Sequence, residues 1–220
     1  MVAMELQQAH ELIVGMTGGG KSYYALARSR LWPGPVLYWN PQDQEIDDVE
    51  LGAWIRADRY NSVHQLFQAR SRINYVPQWR IDHAMDELEI IVAHAMRPGR
   101  IWPAPLLLII DEADQISPQG KLATPGHQVA QRGRKHQVFG WFATQFPSAL
   151  SKDVVRNCSV HTLFKCAYAA GYLSAHGLPG DQIVETLAAA PQYAFLQWTV
   201  DGRLAGPYRT DSQGRVTPTK

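Results

Sequence analysis

"LIVGMTGGGKSYYALARS", Leu12 to Ser29, is the stretch whose reading decides the fold. A short apolar run meets three consecutive glycines, a lysine and a serine, and a helix-forming segment follows at once. Gly15 to Ser22, GMTGGGKS, satisfies the pattern G-x-x-x-x-G-K-[ST] at every fixed position. Glycines let successive backbone N–H groups turn inward around phosphate oxygens with no Cβ in the way. A helix opening there adds its positive end to the same concavity. Lys21 then reaches the β- and γ-phosphates of ATP, and the Ser22 hydroxyl reaches Mg²⁺. The expected nucleotide-binding residues are Gly15, Thr17, Gly18, Gly19, Gly20, Lys21, Ser22 and Tyr23. A bare glycine turn is the competing reading. The position of the match, after a strand and before a helix, favours the cradle.

A nucleotide site needs an acidic half, and "APLLLIIDEAD" supplies it. The continuous apolar run reads as a central parallel strand. It closes on Asp111, at the strand end where α/β sheets hold their ligands. Asp111 is the expected metal partner together with Ser22, and Glu112 is placed to polarise the attacking water. Asp114 reads as a helix cap or structural partner.

Around these two anchors the chain alternates strand and helix, as a mostly parallel sheet covered by helices requires. Strands are expected at 11–14, in GPVLYWN (34–40), INYVPQ (73–78), VFGWFATQ (138–145) and VHTLFKCAY (160–168). Helices are expected at 22–30, in SVHQLFQARS (62–71), in IDHAMDELEIIVAHAM (81–96) and over 125–135. YAFLQWTVDGRLAGPY (193–208) reads as a hairpin turning at Asp201-Gly202. The acidic stretch 41–59 reads as a solvated loop or helix face. Residues 1–210 then form one domain and 211–220 a polar tail.

The 220 residues carry a 45% hydrophobic fraction, a 19% charged fraction and a net charge of +1. The composition is that of a globular chain rather than a disordered one, and any basic surface must be local. No apolar run approaches the ~20 residues of a membrane span, and the N-terminal stretch lacks the pattern of a signal peptide. Two cysteines, Cys158 and Cys166, cannot build a disulfide framework. With His161 they match no zinc spacing and read as packing residues. The seven tryptophans are scattered, as core or contact residues are, rather than gathered into a base-stacking platform.

"RGRKHQVFGWFATQFPSALSKDVVRNCSVHTLFKC" narrows the class. A strand ends in Thr144-Gln145 about thirty residues after the acidic strand, with a basic helix before it. TQFPS, followed by Lys152 and Arg156-Asn157, resembles the FtsK branch of the FtsK/HerA superfamily of DNA-pumping ATPases. QRGRKHQ is similar to the basic element of the genome-packaging ATPases of membrane-containing, double-jelly-roll viruses. The resemblance covers roughly residues 10–200. It implies an α/β fold of the P-loop NTPase, RecA/FtsK-like type: a mostly parallel central sheet flanked by helices, with a C-terminal β-hairpin.

The same resemblance implies an ATPase driving double-stranded DNA into a preformed capsid as a hexameric or pentameric ring, at capsid vertex or portal proteins. Its expected place is the host cytoplasm or the packaging vertex. Gln145 would orient the attacking water or sense the γ-phosphate; alternatively it is a strand-end amide that satisfies backbone groups. Arg132, Arg134 or Arg156 would act as a finger on a neighbour's nucleotide, or contact DNA phosphates, or remain solvated helix-end cations. The alternatives are an extrusion ATPase similar to the Zot family of filamentous phages, and a cellular or plasmid DNA-transfer ATPase.

Overall fold

A computed structural model describes residues 8–59, 63, 67, 71–77, 81–98, 105–121, 123–166 and 169–219. Ten strands form one sheet: β1 (Glu11–Val14), β2 (Val36–Trp39), β3 (Ile55–Ala57), β4 (Arg72–Tyr75), β5 (Leu106–Ile110), β6 (Val138–Thr144), β7 (Val160–Leu163), β8 (Phe195–Thr199), β9 (Leu204–Thr210) and β10 (Val216–Pro218). Their order is β10-β9-β8-β7-β1-β6-β5-β2-β4-β3. The seven strands from β7 to β3 are mutually parallel, and β8, β9 and β10 follow β7 with each successive pair antiparallel. This is the expected architecture of a mostly parallel sheet flanked by helices, with antiparallel strands added by the C-terminal segment.

The period of two along a strand divides each apolar run between two cores. In β5, Leu106, Leu108 and Ile110 join one cluster while Leu107 and Ile109 join the other. β1 does the same, with Leu12 and Val14 on one face and Ile13 on the other. The Ile13 face is covered by the helix Lys21–Ser29, called α1, through Tyr24, Ala25, Leu26 and Ala27. The opposite face is covered by helices that include Ile81–Ala95, Pro125–Arg132 and Gly180–Ala189. Continuous apolar runs are therefore required in the central strands, such as β1, β2, β5 and β6, whose two faces are both covered.

Several sequence expectations need correction. The helix expected over 125–135 stops at Arg132 and passes into a 3₁₀ turn, Gly133–His136, closed by Gln137 in the left-handed region at φ 53°. The start was legible: Thr124 accepts the His127 N–H and Pro125 occupies the first turn. The 41–59 stretch holds a helical turn, Asp48–Leu51, and the edge strand β3. The polar tail is not a tail, because β10 pairs with β9 in register Val216 to Thr210. The Arg28 guanidinium donates to the Gly214 carbonyl at 2.9 Å, tying this segment to the back of α1. The helix expected at 62–71 lies mostly outside the described residues, as do Trp79 and Trp102; Trp32, Trp39, Trp54, Trp141 and Trp198 are buried.

Candidate active site

β1 and β5 do not touch; β6 lies between them. Chains leaving the C-terminal ends of β1, β6 and β5 thus arrive side by side as the Gly15–Ser22 loop, Thr144-Gln145 and Asp111-Glu112. The loop is pinned by main-chain bonds from Gly15 N–H to Thr144 O at 3.2 Å and from Met16 N–H to Lys165 O at 3.0 Å. Glycine is obligatory at two of its positions. A Cβ on Gly15 would stand 2.7 Å from Phe164 Cβ. Gly20, immediately before α1, has φ 98°.

Lys21 is buried, and its ammonium donates to the Gly15 and Met16 carbonyls at 2.8 and 3.1 Å. Burial lowers its pKa, against the pull of the Asp111 and Glu112 carboxylates. Alternation along β5 turns Asp111 toward the α1 face. There its Oδ2 accepts from Ser22 Oγ and from Tyr38 OH, both at 2.8 Å, while Oδ1 accepts the Glu112 N–H at 3.0 Å. A hydroxyl and a carboxylate oxygen in contact, beside a phosphate cradle, suit Mg²⁺, which takes one or two carboxylates together with substrate phosphates. Among the described residues no three His, Cys, Asp or Glu side chains form a metal cage. The Cys158, His161 and Cys166 side chains are buried, with His161 bonded to Tyr172 OH and Cys158 O.

Glu112 sits in the left-handed region at φ 50° and ψ 46°, a costly conformation for a residue with a side chain. Burial and the neighbouring Asp111 charge raise its pKa. Its Oε1 accepts two amides, Gln145 Nε2 at 3.2 Å and Gln42 Nε2 at 3.1 Å. Gln145 Oε1 in turn accepts the Thr17 hydroxyl at 3.0 Å. The chain Thr17–Gln145–Glu112 therefore joins the loop to the acidic turn through the end of the intervening strand. Asp114 accepts Thr144 Oγ1 at 2.5 Å, a structural tie between the same two elements.

A cavity of about 840 Å³ opens over this constellation, within the range of small-molecule sites. It runs from Asp111, Glu112 and Gln145, past the loop and Tyr23, to Gln192, Tyr193 and Arg209. Tyr38, Gln42, Tyr193 and Arg209 carry no sequence signal, because each meets the site through a distant element. The three arginines do not join it. Arg132 and Arg134 precede β6 and Arg156 precedes β7, so all three lie at the opposite end of these strands. All three are exposed. The length of β6 separates the basic turn from Gln145 by roughly 20 Å.

No family model matches the chain. Protein P9 of Pseudoalteromonas phage PM2 is 26% identical over 212 residues, covering 90% of this chain and 88% of that protein. The genome packaging NTPase B204 of Sulfolobus turreted icosahedral virus 2, solved with AMP, superposes with a TM-score of 0.66 at 15% identity. That match covers 98% of this chain and 100% of B204. The same NTPase solved with ATP-gammaS also gives 0.66, over 97% and 98%. The two chains share a fold from end to end.

Proposed function

We propose that this chain is an ATP-hydrolysing motor that packages double-stranded viral DNA into a preformed capsid, working as a ring. The observation that carries the reading is the junction of Lys21, Ser22, Asp111, Glu112 and Gln145 across three adjacent strand ends. The full-length fold match to a viral genome packaging NTPase supports the choice of work. In this reading the loop amides and Lys21 hold the β- and γ-phosphates. Ser22 and Asp111 would hold Mg²⁺, which neutralises charge developing on the phosphate oxygens when bound. Glu112 takes the proton of the attacking water, and its raised pKa makes it a stronger base than an ordinary carboxylate. Gln145 holds Glu112 and Thr17 together, so a shift at the phosphates is passed to β6. Arg132, Arg134 or Arg156 serves a neighbouring subunit's nucleotide or contacts DNA phosphates.

Hydrolysis measured with and without duplex DNA, alongside the mass of the assembled particle, tests the reading. Stimulation by duplex DNA in a ring-sized particle is expected. Turnover indifferent to DNA in a monomer would overturn it. Among the described residues no helix is long and apolar enough to cross a membrane.

A further inference from the structure

We infer that Tyr193 is the stacking platform for the base of the bound nucleoside triphosphate, an inference that rests on the phosphate-cradle reading. Strand order sets the direction. β6 and β5, which carry Gln145, Asp111 and Glu112, lie on one side of β1, while β7, β8 and β9 lie on the other. A triphosphate held by the loop with its γ-end at Glu112 sends its nucleoside across β1, toward the segment leading into β8. The same cavity continues there, to Gln192, Tyr193 and Arg209.

The Tyr193 ring leaves a face open to the cavity. It is 53% exposed, although the cavity lies beside it. Its φ of 64° is left-handed, a conformation that a bulky residue adopts only at a cost. Burial does not offset that cost. One contact places the ring at the cradle, and a second fixes the backbone beside it. A Cβ on Gly20 would stand 3.1 Å from Tyr193 Cδ1, so the ring lies close against that glycine. From β9, Arg209 Nη2 donates to the Gln192 carbonyl at 3.1 Å and fixes the residue before it. Beneath, Phe195 packs on Tyr24 and Phe164 with centroids 4.9 and 5.2 Å apart, which gives the segment a rigid aromatic floor. An aromatic face beside the cradle, at the nucleoside end of the cavity, is what a nucleobase needs.

The test measures equilibrium binding of ATP and of inorganic tripolyphosphate to the full chain by calorimetry. Tripolyphosphate keeps the phosphate contacts and lacks a base. Tyr193→Ala should weaken ATP about ten-fold or more and leave tripolyphosphate unchanged, while Tyr193→Phe should bind ATP as the wild type does. Lys21→Ala should weaken both ligands. Unchanged ATP affinity in Tyr193→Ala would overturn the stacking role. An equal loss of ATP and tripolyphosphate would overturn it too, by showing that Tyr193 supports the loop through Gly20. A wild-type chain that binds neither ligand would overturn the cradle reading and this inference with it.

Discussion

Lys21 has a buried ammonium satisfied by two loop carbonyls, so its charge is already oriented along the loop before it meets an anion. Lys21→Ala should therefore abolish hydrolysis and weaken ATP binding at least ~100-fold, the scale of losing a pre-aimed charge partner. Unchanged turnover would mean the loop holds no triphosphate. Glu112→Gln keeps the shape and removes the charge. It should bind ATP normally and lose ~10²–10⁴ in turnover, and the acid limb of the wild-type rate should follow Glu112, falling as pH drops through its raised pKa. Gln145→Ala breaks the link from Thr17 to Glu112. A modest loss of affinity with a ~10–100-fold loss of turnover is expected from the misplaced base; equal losses in both would make Gln145 a packing residue. Lys21, Ser22, Asp111, Glu112 and Gln145 were legible because each sits in a local motif or at the end of an apolar run. Tyr38 and Gln42 were not, since their partners are 73 and 70 residues away and nothing local distinguishes them.

β1 and β7 carry the titrations that set acid stability. His10, just before β1, accepts the Gly140 N–H on Nδ1 at 2.9 Å, so protonation there would set two donors against each other. Burial first, and the Arg134 charge second, lower its pKa to about 4, and burial lowers that of His161 in β7 to about 4 as well. The unfolded chain binds these protons near 6.5, so stability falls as pH drops from 6.5 toward 4, on the order of 3 kcal/mol per histidine. Glu11 in β1 opposes part of this. Burial raises its pKa, so its contribution is complete below about 4.5 and is lost as pH rises through the folded value. His161→Phe should flatten the decline of the urea midpoint between pH 6.5 and 4; a curve parallel to wild type would mean that His161 does not titrate on unfolding. Elements dominated by apolar runs were readable from the sequence, as β5 and β6 show. Short edge strands were not: β3 is three residues in an acidic stretch, and β10 is three residues of which only Val216 is buried.

At the scale of the whole molecule, the cradle and the basic turn occupy opposite ends of the sheet, beyond the reach of a guanidinium within one subunit. A ring must bring them together between neighbours if one of Arg132, Arg134 or Arg156 acts on nucleotide. Subunits lacking that arginine but keeping Lys21, mixed with subunits lacking Lys21 but keeping the arginine, should recover turnover that neither has alone, since a trans arginine is worth ~10³–10⁵ in rate. No recovery in rings shown to contain both would leave the arginines to DNA. The order in which the chain is made bears on the cradle as well. α1 packs its Ile13-facing side in a core that also contains Val216, and Arg28 Nη1 donates to a carbonyl 186 residues further on. On the ribosome, the loop and its helix emerge early and wait for nearly the whole domain before their back is covered. The back of the cradle's helix is therefore closed only by residues made almost last, Gly214 and Val216.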